Sequence, residues 1–329
     1  MKRDLYWDSL KSVLIFLVVY GHIAPRYMEG SQFNMAIFNF IYMFHMPLFI
    51  FVSGRFSHIR DRKRYKQSIF RLFETYVVFQ IIRTAFQVLL GGKLTIGCLY
   101  TPQWTLWYLI ALIYWRLMVY YMPEKWLKQR KYLIFLSVLI CLMAGFIPLD
   151  YPFVVQRTLT FLPFFVLGYY SIDVDIRNCI NKIPSWFAFS LLIVGFAFFY
   201  ILFGKQNLSF VHYGTFPYWA GTFMLTIHHF VARIIFIPIA ILLGIMVMRL
   251  VPTNNTLAKW GSVTMFIFIY HTFVINILLE LTKRNIIPQN VFLLIVYAVI
   301  ITLSLIFLSR FKLLNICLNP VSFYRNLKQ

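Results

Sequence analysis

Charge is scarce in this chain, and negative charge is scarcer still. Only 12% of its 329 residues are charged, about half of what a soluble domain of this length carries. Ten acidic residues stand against 31 basic ones, for a formal net charge of +21. Cysteine is sparse as well. Cys98, Cys141, Cys179 and Cys317 form no CxxC pair and no zinc-like spacing, so neither a disulfide framework nor a zinc site is expected. No small-residue cleavage site follows the basic start MKRD. The first apolar run is therefore expected to be retained rather than removed as a signal peptide. What the sequence has in quantity is apolar surface: 61% hydrophobic residues, with 36 Phe and 21 Tyr, and a mean hydropathy of +0.75. Apolar runs near 20 residues recur along it, the pattern of an all-α polytopic membrane protein. The basic excess does not read as a nucleic-acid surface, because it sits in short connections between those runs.

Ten spans are expected, at 10–27, 36–54, 72–90, 104–122, 132–148, 155–171, 186–203, 231–250, 263–281 and 289–309. They form one transmembrane domain over 1–329 with no separate soluble unit. Segment 204–230 is too polar for a clear span but rich in Tyr, Phe, Trp and His. Of the basic residues, 22 fall on the side of both termini and 7 on the other, with Arg83 and Arg116 inside spans. Positive charge is retained on the cytoplasmic side, which puts both termini in the cytoplasm.

The first span, DSLKSVLIFLVVYGHIAP at 8–25, carries Asp8, Lys11 and His22. At about 100° per residue, Lys11 and His22 share one helical face and stand about 16 Å apart along the axis. Asp8 and Lys11 are neighbours at i,i+3 spacing. An ionisable group at membrane depth faces a protein-lined cavity. His22 reads either as a hydrogen-bonded interhelical histidine or as a general base, since its protonation range suits removal of a hydroxyl proton. Lys11 alone reads as a snorkelling anchor.

The second span contains FHMPLFIFVSGR, with His45 near mid-membrane and Pro47 expected to kink or break the helix. Ser53 and Gly54 close it; glycine there lets backbone approach a ligand, or simply ends a helix. The basic loop 55–71 serves topology and anionic lipid, or the phosphates of a cytosolic nucleotide donor. Arg71 is the candidate for the second use, with a local Arg71–Glu74 pair as its competitor. Trp104, Trp107 and Tyr108 fit an outer aromatic belt. In the sixth span, Pro163 marks a non-ideal helix and Gly168 permits close packing. The aromatic residues of 204–230 suit sugar rings or, more readily, the membrane interface, and His228 and His229 are adjacent and cannot share a helical metal face. His271 is a third mid-membrane histidine.

Taken in order, these blocks resemble a known family. K-x10-H in the first span, with Asp8 three residues earlier, is similar to the R-x10-H signature of the membrane acyltransferase-3 family. The resemblance continues in FHMPLFIFVSG at 44–54, RLFETY at 71–76, WTLWYLIAL at 104–112, FLPFFVLGYY at 161–170 and GSVTMFIFIYH at 261–271. The chain looks most like the branch of fucose 4-O-acetylases and related sugar O-acetyltransferases. Lys11 stands where the family usually has arginine, which keeps the charge but loses the planar fork.

The resemblance implies O-acyl transfer from cytosolic acetyl-CoA, or another acyl-CoA, to a hydroxyl of a cell-surface or lipid-linked glycan. It implies a bacterial inner membrane and no metal. His22 aligns with the family's essential histidine, as base or transient acyl carrier. Lys11, with Asp8, aligns with the group that assists donor binding or orders that histidine. His45, Ser53, Arg71, Trp107 and His271 occupy motif positions and are expected to bind substrate. The reading from another class is a proton-coupled transporter or flippase of a glycan unit, which would show inverted repeats with paired broken helices. Oligomeric state is left open by the sequence.

Overall fold

Short polar side chains set where the helices begin. Asp4 accepts a hydrogen bond from the Tyr6 amide (3.0 Å), and Asp61 from that of Arg64 (3.0 Å). Thr222 and Asn254 do the same for Leu225 and Leu257. Each satisfies an amide that a helix start leaves without a partner. The bond from Arg64 also holds the Asp61 carboxyl below its usual range. The computed structural model describes residues 4–27, 31–147, 152–219, 221–288, 290–318 and 320. Lys2, Arg3, Arg325 and Lys328, which enter the orientation argument, lie outside the described residues, as do 148 and 289 at two expected span ends.

Ten principal helices follow: α1 Leu5–Ile23, α2 Gln32–Arg55, α3 Arg62–Leu89, α4 Trp107–Tyr121, α5 Arg130–Met143, α6 Val155–Tyr170, α7 Ser185–Phe203, α8 Phe223–Leu250, α9 Thr264–Lys283 and α10 Leu294–Leu308. Every expected span holds one of them. Length and apolarity sufficient to cross a membrane are met by six among the described residues: α1, α2, α3, α7, α8 and α9. α10 makes a seventh if joined to Lys312–Leu318, to which it is bent by 96°. α4, α5 and α6 have only 15, 14 and 16 residues. The shortfall has a local cause. α4 is preceded by the 3-10 turn Trp104–Leu106 and α5 runs into another, Ala144–Phe146. α6 starts from two left-handed residues, Phe153 (φ 56°) and Val154 (φ 61°). Irregular backbone at membrane depth is tolerated where it is buried in protein or lines a cavity.

α1 and α2 form the buried centre. α2 packs on α1, α6, α7 and α8, and α1 on α2, α9, α10 and the short helix Asn255–Gly261. α7 lies at the periphery, with Trp186, Phe189, Val194 and Ile201 exposed. An apolar surface of that kind suits lipid rather than water. α2 runs unbroken through Pro47, and α6 through Pro163. The helix is therefore not broken at Pro47. Gly54 has a different role from the one its sequence position suggested. A side chain on Gly54 would meet the Phe165 carbonyl, and one on Gly168 would meet that of Phe51. The two glycines let α2 and α6 cross backbone to backbone, so Gly54 admits a helix rather than a ligand.

The two arginines inside spans are accommodated without carboxylates. Arg116 donates to the Ser57 and Ser68 hydroxyls, both at 3.2 Å. Arg83 stands 4.8 Å from the ring centre of Trp104 and 5.2 Å from that of Phe273, where ring faces offset part of the burial cost.

Candidate active site

The non-helical ends of α4 and α6 meet the last turn of α1 around a cavity of about 550 Å³. That volume lies within the usual span of small-molecule sites, roughly 300–1,000 Å³. His22, His45, Trp104, Trp107, Arg157 and Tyr213 are among its lining residues. It lies at the end of the bundle whose connections are poor in Lys and Arg.

His22 stands near the end of α1, half-buried, with a face on the cavity. Its ring meets Trp104 edge to face at 5.6 Å and lies 5.2 Å from the ring of His271. His271 is fully buried in α9, where its Nδ1 bonds the Ile267 carbonyl at 3.0 Å. His45, on α2, bonds the Ile41 carbonyl in the same way at 2.9 Å. A carbonyl only accepts, so Nδ1 carries the proton in both neutral rings and Nε2 is left as a lone-pair site. Nε2 of His271 has no hydrogen-bond partner among the described residues. Tyr42 fastens α2 to α1 beside this group, donating to the Gly21 carbonyl at 3.1 Å.

The wall opposite α1 is organised from α3. The Gln80 carboxamide donates to the Cys98 and Thr101 carbonyls (2.7 and 2.9 Å) and accepts from the Gln103 amide (3.0 Å). One turn further along, Arg83 lies against Trp104, which is itself left-handed (φ 48°). Non-glycine residues rarely adopt that conformation, and the surrounding contacts must impose it. Trp107 stacks on Phe161 at 5.7 Å with the Arg157 guanidinium 4.9 Å from its ring centre.

Below the histidines, the rings of Phe49, Tyr108 and Phe268 form a closed triangle, with separations of 5.2 to 6.4 Å. All three are buried. Phe268 touches His271 from beneath (6.1 Å), and the Tyr108 hydroxyl bonds that of Ser53. Along α2 the layer stands between His45 and Ser53, toward the basic-rich end of the bundle. There Lys11 pairs with Asp8 at 2.5 Å, and its ammonium lies 5.3 Å from the Phe56 ring centre. Gly261 receives the backbone of Asp8.

Of the residues singled out in the sequence, His22, His45 and Trp107 share the cavity and His271 adjoins it. Ser53 lies beyond the aromatic layer. Asp8, Lys11 and Arg71 do not line the cavity either. Arg71 is exposed. The sequence did not single out Gln80 or Gln156, and it favoured membrane interface over a sugar site for the aromatic segment 204–230. Its residues His212, Tyr213 and Thr215 line the cavity. The clue was the coincidence of histidine and tyrosine in a stretch too polar to span.

The chain belongs to the acyltransferase-3 family, whose acyltransferase domain matches residues 4–310. A segment of 55 residues is 44% identical to nodulation protein NolL of Sinorhizobium fredii (strain NBRC 101917 / NGR234), covering 16% of this chain and 15% of that protein. A segment of 58 residues is 45% identical to nodulation protein NolL of Mesorhizobium japonicum (strain LMG 29417 / CECT 9101 / MAFF 303099), covering 17% and 16%. In both cases the match spans about a sixth of the relative's length. No solved structure matches the chain.

Proposed function

We propose that this acyltransferase moves an acetyl or other short acyl group from acyl-CoA to a hydroxyl of a cell-surface or lipid-linked glycan, with His22 at the reacting centre. The observation that carries the reading is the placement of His22: a histidine at membrane depth, on a cavity of small-molecule size, beside a second buried histidine with an unpartnered Nε2. In this reading ten helices cross a bacterial inner membrane, both termini are cytoplasmic, and the histidine cavity opens outward.

The donor arrives at the basic-rich face, where positive charge attracts the polyanionic CoA. Arg71 is exposed there, and Lys11 with Asp8 marks the same end of α1. The pantetheine arm runs inward past Ser53 and the layer of Phe49, Tyr108 and Phe268, which must part for the thioester to meet His22. The acceptor enters from the other side, against Trp107 and His45. His22 takes the proton of the acceptor hydroxyl, the oxygen attacks the thioester carbonyl, the C–S bond breaks, and CoA leaves as the thiol after receiving a proton. The alternative route has the same balance in two steps, with the acyl group carried transiently on a His22 ring nitrogen. His271, held by the Ile267 carbonyl, binds substrate beside His22 in this reading.

Acetyl-CoA binding and acetyl transfer by the detergent-purified protein test the reading. Binding without transfer in His22→Ala supports it. A wild type that ignores acetyl-CoA at millimolar concentration contradicts it and favours glycan transport.

A further inference from the structure

Two polar side chains of the cavity have no part in the reaction above. Gln156 is 3% exposed and His212 is 2% exposed, and both line the cavity. Neither the nitrogen nor the oxygen of the Gln156 carboxamide has a hydrogen-bond partner among the described residues. Nor does either ring nitrogen of His212. Buried polar groups without partners are rare, because burial removes water that nothing replaces. Four such atoms on one cavity need a reason.

Their placement is built by the surrounding fold. Gln156 sits in the first turn of α6, directly after the left-handed pair Phe153 and Val154. That conformation is uncommon for any side chain and an outlier for a β-branched one, and strain of this kind clusters at ligand sites. His212 ends the short turn Ser209–His212, which α2 holds through one side chain. Asn39 donates to the Phe203 and Gln206 carbonyls (3.2 and 2.7 Å) and accepts from the Leu208 amide (3.2 Å). The rings of Phe38, Tyr42 and Tyr213 then surround the imidazole at 5.4, 4.9 and 5.1 Å.

The chemistry of the pair selects its ligand. A carboxamide both donates and accepts, and so does a neutral imidazole. An anion only accepts and an ammonium only donates, so either leaves half of these atoms unmatched. An acyl chain leaves all of them unmatched. Hydroxyl groups donate and accept at once, and a sugar ring carries several of them side by side. We propose that Gln156 and His212 form the acceptor-reading wall of the cavity, each taking a hydroxyl of one sugar ring while another hydroxyl of that ring is presented to His22. The inference rests on the acyl-transfer reading and adds to it the groups that choose the acceptor.

The test separates acceptor from donor. Acetyl-CoA binding is measured on the purified full-length protein. Transfer is measured in membranes, as radiolabelled acetyl passing from acetyl-CoA to the host's own envelope glycan and released by mild alkali. Gln156→Leu and His212→Leu are expected to lower transfer by about 10- to 100-fold, the usual cost of an unmatched buried hydroxyl partner. Acetyl-CoA binding is expected to stay at the wild-type level, which also reports an intact fold. Gln156→Asn and His212→Asn keep both donor and acceptor and are expected to restore much of the transfer. Wild-type transfer in both leucine variants would overturn the proposal. So would loss of transfer and acetyl-CoA binding together in the leucine and asparagine variants, which would make these residues structural. A wild type that neither binds acetyl-CoA nor transfers acetyl would instead remove the acyl-transfer reading itself.

Discussion

His22 and His271 show what a buried histidine needs before it can act. Each ring has two nitrogens, and the neighbours decide which one holds the proton. Helical geometry makes that decision for His271 and His45, whose Nδ1 atoms bond the carbonyls four residues back. His22 makes no such bond to its own helix among the described residues, which in the proposed reading leaves its ring for the acceptor hydroxyl. Replacing it by alanine is expected to lower acetyl transfer by about 10²- to 10⁴-fold, the range for a lost general base, while acetyl-CoA binding persists; parallel binding and transfer assays check this. Gln80 makes a separate case. Its three bonds to the 98–103 loop are all buried or partly buried. Gln80→Leu is expected to cost about 2–3 kcal/mol and to loosen the wall that carries Trp104, read as a lower melting temperature in detergent together with weaker transfer. The histidines and Trp107 were legible in the sequence because polar groups stand out inside apolar runs. Gln156 and His212 were not: Gln156 lies at the start of an expected span and His212 in the polar segment 204–230, where polarity is ordinary. Only the fold shows that their polar atoms are buried.

Between α2 and α6, contact is made by backbone rather than side chains. Gly54→Val or Gly168→Val places methyl groups against a facing carbonyl and is expected to cost about 1–3 kcal/mol or more, measured as loss of folded protein on heating in detergent. Sequence alone marked both glycines but could not pair them, since each meets a carbonyl more than 110 residues away in the chain. The layer of Phe49, Tyr108 and Phe268 joins α2, α4 and α9, and its three members come from separate apolar runs that look like ordinary lipid-facing sequence. Phe268→Ala is expected to open this layer and admit water beside the donor. Its signature is acetyl-CoA hydrolysis without acceptor, raised several-fold over wild type; an unchanged rate would show that donor access lies elsewhere. Helix ends were the least legible feature. α4, α5 and α10 came out shorter than the expected spans because their apolar residues continue into 3-10 turns, which hydropathy does not distinguish from helix.

Taken as one body, the chain divides into a basic-rich end with Lys11, Arg71 and Arg116 and a basic-poor end with the histidine cavity. In the proposed reading, the positive-inside rule orients the first toward the cytoplasm. A fluorescent reporter that matures only in the cytoplasm is therefore expected to be bright at either terminus, and darkness at one of them would mean an odd number of crossings. In the proposed reading, that orientation gives donor and acceptor opposite entrances to a single histidine. The decisive measurement is transfer of labelled acetyl from acetyl-CoA by wild type and His22→Ala side by side, with acetyl-CoA binding measured on both. Binding by both proteins with transfer only by the wild type is the expected result. Undiminished transfer by His22→Ala would place the reacting centre away from this cavity and contradict the account.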